Sequence, residues 1–256
     1  MFYLFFSHLG VGLIGSLGLL PLRRLGPGFF RFNVLLGLGF LLIAAASGWG
    51  RQPPWELFAC IVLATAHVVS LRRRHNPVSL VMLYCDCAPE AAALVREAHL
   101  LASAPQVELS AALLAAHFLT SAALLGAVTL DMILGHWYLV IPGLSFGHLR
   151  HMTLVFAAAL GLRLLVSVWT VAGSWDAWRR AWQLDPTRFL LEHGFFLTLR
   201  VLFGIVGPAV LLYLVWECVR TRSNTSATGI LYVATAVVLI GEIASKHFLT
   251  AAAILL

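Results

Sequence analysis

Six histidines stand inside or at the edges of long apolar runs: His8, His67, His117, His136, His193 and His247. An imidazole carries protons near neutral pH and is the commonest metal ligand. Burying one in hydrocarbon is costly, and an ionisable residue there marks a functional site by default. Arg163 and Arg200 also fall within apolar runs, with no carboxylate one helical turn away on their own segment. Each guanidinium therefore must face the bundle interior and find an anionic partner there: Asp131, Glu192, Glu217, Glu242 or the propionate of a bound haem. Glu242 and Lys246 stand at i and i+4 with His247 adjacent, a spacing that puts the pair on one helix face. The pair reads either as mutual neutralisation or as a proton or quinone-headgroup site at the edge of an apolar core. Together these residues predict a membrane domain that binds a cofactor or moves protons.

The elements that must hold these residues are transmembrane helices. Of 256 residues, 61% are hydrophobic and 11% charged, against roughly 25% charged in soluble domains. Apolar stretches near the ~20 residues that span a bilayer recur at about 1–22, 33–50, 55–72, 108–134, 150–172, 192–218 and 227–254. These seven spans predict an all-α polytopic bundle forming a single transmembrane domain over 1–256. The first span lacks a basic leader region and a small-x-small cleavage site, so it reads as a genuine helix.

The net charge of +6 does not point to nucleic acid, because the arginines cluster at span ends. The first, third and fifth connectors carry ten of them (Arg23, Arg24, Arg31, Arg72, Arg73, Arg74, Arg96, Arg179, Arg180 and Arg188) and the others four. By the positive-inside rule this predicts an outside N-terminus and an inside C-terminus, in the cytoplasmic (inner) membrane of a prokaryote. The connector at about 73–107 then lies on the cytoplasmic side, and its stretch from Pro89 to Ser103 predicts an amphipathic surface helix. Cys85 and Cys87 lie in it without the doubled spacing of a zinc or iron–sulfur site. Gly135 to Leu144 predicts a polar-aromatic loop after the fourth span, and Trp175 to Trp182 an aromatic and basic belt.

In that topology the histidines fall into two tiers. His8 and His136 lie towards the outer face, with His148 and His151 near them; His67, His117, His193 and His247 lie towards the inner face. Two tiers of histidine predict two b-type haems held by imidazoles, with His8, His67, His117 and His136 as iron ligands and His193, Arg163 and Arg200 as further cofactor contacts. Gly12 and Gly15 share the face of His8, which either leaves room for a porphyrin or lets two helices pack closely. Thr120 and Ser121 beside His117 offer hydroxyls to orient its ring or meet a propionate.

The last span, Ala227-Thr228-Gly229-Ile230-Leu231-Tyr232-Val233 through Leu239-Ile240-Gly241-Glu242-Ile243-Ala244-Ser245, resembles the closing helix of polysulfide-reductase and DMSO-reductase type membrane anchors, in which a Gly-Glu pair precedes a small and a basic residue. The resemblance covers about a tenth of the chain. It implies a quinone-reactive anchor bound to iron–sulfur and catalytic subunits, with Glu242 and Lys246 on the quinone side. Those anchors usually work without haem, so the histidines are a departure; their distribution resembles the b-haem anchors of respiratory complexes.

The functional expectation is a membrane subunit of a respiratory or other electron-transfer complex, cytochrome b-like, passing electrons between a partner redox subunit and quinone. The haem-free alternatives are a structural or quinone-anchor subunit and a proton-coupled transporter using Glu242, Lys246 and His247. No nucleophile triad, phosphate loop or zinc motif is present to suggest an independent hydrolase or kinase.

Overall fold

A computed structural model describes residues 1–48, 55–71, 77–103, 110–141, 144–173, 175–176, 179 and 186–252. The helices are α1 (Phe2–Leu17), α2 (Leu22–Ser47), α3 (Trp55–Ser70), α4 (Pro77–Ala102), α5 (Ala111–Val140), α6 (Gly147–Gly173), α7 (Pro186–Val201), α8 (Gly207–Arg220) and α9 (Asn224–Ala252). A π-helical segment, Leu202–Val206, joins α7 to α8. No strand occurs among the described residues, so the all-α expectation holds there.

Five helices are long and apolar enough to cross a bilayer: Arg24–Ser47, Ala111–Val140, Gly147–Gly173, Leu190–Arg220 and Asn224–Ala251. The α1 and α3 helices are apolar but only 16 residues each, about 24 Å at 1.5 Å per residue, short of a hydrocarbon core of about 30 Å. Large apolar side chains face outward, among them Leu165, Val168 and Trp169 on α6 and Leu191 and Phe195 on α7. A surface of this kind suits lipid rather than water, and the chain is an integral membrane protein.

The α5 helix is the hub. Ser110 caps it, accepting from the Leu113 amide at 3.2 Å, and α1, α4, α6 and α9 pack around it. On one side α1 leads to α2, α3 and α4; on the other α9 gathers α7 and α8. Two apolar clusters, one around Leu13, Phe29, Phe118 and Leu134, the other around Leu125, Phe156 and Val238, draw on the same central helices. The α1 helix is buried along most of its length, so its shortness need not match a lipid thickness. It presses closely on α5: a Cβ on Gly12 would collide with the Ala122 carbonyl, and one on Gly126 with the Gly12 carbonyl. The glycine face of His8 is thus used for helix packing.

Several boundaries differ from those expected. Arg24 and Arg31, read as a connector, are helical within α2, which turns at Gly26 (φ 80°, ψ 160°) and continues from Pro27. That backbone region is open to glycine alone, and proline suits the first turn of the helix that follows. The α5 helix runs through His136, Trp137 and Tyr138, because the chain meets no helix breaker until Pro142 and Gly143, which lie outside the described residues. The amphipathic helix begins at Pro77 rather than Pro89 and carries Pro89 inside it. It buries Ala93, Leu94 and Ala98 and packs on α1, α3 and α5. The side chains of Cys85 and Cys87 lie outside the description, as does most of the 175–182 belt. At Gly207-Pro208 the helix is not broken: Pro208 has no amide for the Gly204 carbonyl, and the backbone absorbs this as the π segment, with the Gly207 amide bonded to the Leu202 carbonyl.

Candidate functional site

Glu242 is the centre of the site. It sits on the inward face of α9 and is fully buried, as are Arg163 of α6 and Arg200 of α7. The Arg163 guanidinium grips the carboxylate in a fork, Nε to Oε1 at 2.9 Å and Nη2 to Oε2 at 3.0 Å. Two parallel bonds of this kind fix orientation as well as charge. Arg200 Nη1 donates to Oε1 at 2.9 Å, and Lys246 Nζ lies 3.3 Å from Oε2. Of the carboxylates that the sequence offered to the two arginines, Glu242 serves both. Glu192 pairs instead with Arg188, and Glu217 with Arg220. Asp131 is buried farther along α5.

Hydroxyls and an imidazole complete the shell. Arg163 Nη1 donates to the His117 carbonyl at 3.1 Å, while Nη2 meets His117 Nε2 at 3.0 Å and Ser245 Oγ at 3.1 Å. Arg200 Nη2 donates to Ser167 Oγ at 3.2 Å. Ser121 Oγ donates to Glu242 Oε2 at 2.5 Å, accepts from Lys246 Nζ at 2.6 Å and lies 3.3 Å from His8 Nδ1. Five helices, α1, α5, α6, α7 and α9, thus meet at one carboxylate. Three buried cations surround a single buried anion, and a network of this kind holds only if nearly every member finds a partner.

The structure gathers Glu242, Lys246, Arg163, Arg200, His117 and His8, and it leaves the other sequence candidates elsewhere. His8 and His117, read as belonging to opposite tiers, meet the same network, His8 at Ser121 and His117 at Arg163 and Ser245; α1 packs on α5 around Gly12, Ala122 and Gly126, which removes the difference in depth. His67 is buried on α3, which packs on α2 and α4. His136 Nδ1 lies 2.9 Å from the Tyr232 hydroxyl. His193 and His247 face each other with ring centroids 6.5 Å apart, and His247 stacks on Phe196 at 3.6 Å.

Sequence reasoning passed over Ser167, took Ser245 only as part of the closing-helix resemblance, and gave Ser121 only to His117. A signal was present: Ser121, Ser167 and Ser245 each stand three or four residues from His117, Arg163 and Glu242, the spacing of neighbours on one helix face. The contact of Gly204 with Gly241 was missed too, since only the fold brings them together.

For haem, the fit can be judged at the two histidines in the cluster. His117 Nε2 is taken up by Arg163, and the space at Gly12 beside His8 is filled by the α5 backbone. This pair and its surroundings therefore do not suit an iron porphyrin. Among the described residues no group of three or more His, Cys, Asp and Glu side chains is placed to hold a metal ion.

No protein-family model, curated protein or solved structure matches the chain.

Proposed function

We propose that this chain is the membrane subunit of a respiratory or other electron-transfer complex, and that the Glu242 cluster is its quinone-side, proton-handling site. One observation carries the reading: Glu242, Arg163, Arg200 and Lys246 are all buried together between membrane helices. Apolar packing in their place would serve stability as well or better, so a charge network in a bilayer interior points to function. Glu242 and Lys246 are also the residues on which the likeness to quinone-reactive anchors rests. In this reading the chain spans the inner membrane of a prokaryote seven times, with its N-terminus outside, and docks a partner redox subunit on the cytoplasmic side. The candidates for a b-type haem are then His67, His136 and His193, outside the cluster.

The test uses the protein purified with its native partners and a fluorescent quinol analogue. Saturable quenching at about one analogue per chain, weakened at least tenfold by Arg200→Gln, is the expected result. The same preparation gives a reduced-minus-oxidised spectrum that reports haem. Absence of quenching, with no redox subunit in the preparation, overturns the reading.

A second reading, a proton-coupled transporter, draws on the π segment Leu202–Val206 beside Arg200. Within a continuous helix such π segments recur at functional sites. Proton flux through liposomes holding this chain alone would select it.

A further inference from the structure

Lys246 is the only lysine in the chain; the other sixteen of its seventeen basic residues are arginines. At the span ends, and at Arg163 and Arg200, the chain uses arginine, while its one lysine stands inside the buried cluster. The two residue types are not interchangeable there. A guanidinium keeps its proton in a protein, whereas a buried amine can exist with or without its third proton. The single negative charge of Glu242 is already met without Lys246: Arg163 grips both carboxylate oxygens and Arg200 donates to Oε1. None of the three cations pairs with a second carboxylate among the described residues. Three cations on one carboxylate leave a surplus of positive charge held away from water, and that is costly. Loss of one proton reduces it, and Lys246 is the one cation able to make that change. The hydrogen bonds allow it. An ammonium has three N–H donors, and Nζ makes two bonds among the described residues, to Ser121 Oγ at 2.6 Å and to Glu242 Oε2 at 3.3 Å. Both survive when the third proton leaves. Lys246 is also the least enclosed of the four charged groups, with 4% of its side chain accessible against 1% for Glu242 and 0% for each arginine.

We propose that Lys246 is the proton carrier of the cluster, alternating between ammonium and free amine while Glu242, Arg163 and Arg200 keep their charges. That role rests on the proton-handling reading of the site and names the residue that performs it. The step moves a proton alone. The N–H bond breaks, its electron pair stays on Nζ as a lone pair, and a water molecule at the edge of the cluster takes the proton; reloading runs the same step backwards. Glu242 is held by the two arginines in both states, so the fork with Arg163 keeps its place through the cycle. The charged and titratable groups around Lys246 are Glu242 on its own helix, His8 of α1 through Ser121, His117 of α5, Arg163 of α6 and Arg200 of α7. The π segment has no titratable residue, and Glu217 and Arg220 of α8 pair with each other. His247, next in sequence, turns to His193 and Phe196.

The experiment is nitrogen NMR of the full chain, carrying nitrogen-15 at the lysine Nζ and held in lipid bilayers. One lysine gives one signal, so no assigning variants are needed. The pH is raised through the neutral and mildly alkaline range, where a free lysine stays an ammonium. The signal should pass from the ammonium to the amine position within that range. A signal that stays at the ammonium position throughout overturns the carrier. A second measurement follows electron transfer from a short-chain quinol to a dye acceptor in the complex with its native partners, since quinol oxidation must release protons. Lys246→Arg, a fixed cation, and Lys246→Met, a fixed neutral side chain, should each slow it by about a hundredfold, with the fluorescent quinol analogue still bound. An arginine variant as fast as wild type shows that positive charge alone suffices, and overturns the carrier. Should either variant fail to fold, the wild-type titration decides. A wild-type complex that neither binds the analogue nor oxidises the quinol overturns the quinone-side reading, and the titration of Lys246 is then judged by itself.

Discussion

Gly204 and Gly241 meet backbone against backbone, and this contact seats Arg200 over Glu242. A Cβ on Gly241 would strike the Cα and amide of Gly204. With both side chains absent, the π segment lies directly on α9, and Arg200 Nη1 reaches the Gly241 carbonyl at 3.4 Å and Glu242 Oε1 at 2.9 Å. Small residues let membrane helices approach in this way; here the approach also closes an ion pair.

Gly241→Ala should therefore separate α9 from the π segment and weaken the Arg200 contact. Overpacking against rigid backbone costs about 1–3 kcal/mol. Thermal unfolding in detergent should show a lower Tm for Gly241→Ala, and an unchanged or higher one for Gly161→Ala, where an added Cβ meets nothing within 4 Å. Equal effects would mean that the glycine contact is not tight.

Glu242→Gln leaves Arg163, Arg200 and Lys246 buried around a neutral amide. Removing one member of a buried ion network typically costs about 3–5 kcal/mol. Adding Arg163→Met should recover part of that loss, because one stranded cation goes with it. A double-mutant cycle measures the coupling, and strict additivity would show that the two side chains do not interact.

Gly26 is the position in α2 where the backbone requires glycine. At φ 80° and ψ 160° with open space around it, Gly26→Ala strains the chain without a steric clash. The expected loss is about 1–3 kcal/mol, read from denaturation. No loss would mean that α2 can run through this point without the turn.

Arg188 and Glu192 form the contrasting pair. Their bond is short, 2.7 Å, but the side chains are 73% and 51% exposed. Solvent screens such pairs, and Arg188→Gln should change stability by under about 1 kcal/mol. A larger loss would show that this end of α7 is covered in the assembled protein.

The membrane class and the titratable residues of the site were legible in the sequence, because both follow from residue type and local run length. A long apolar run containing Arg163 or Arg200 is a membrane helix with an expensive passenger wherever the chain goes next. Glu242 and Lys246 were readable as a pair because their spacing is local. The ends of the helices were less legible: Arg24 and Arg31 were assigned to a connector on their charge, whereas α2 includes both, one on each side of its turn at Gly26.

The tertiary structure decided which partners meet. Five carboxylates or propionates were open to Arg163 and Arg200 from sequence, and helix adjacency selected Glu242. His8 and His117 stand 109 positions apart, and their sharing of one network depends on α1 lying glycine to glycine against α5. Charge pairing and close packing are properties of distance in space. Sequence fixes such distances only within a few turns of one helix; across helices, the packing of the bundle sets them.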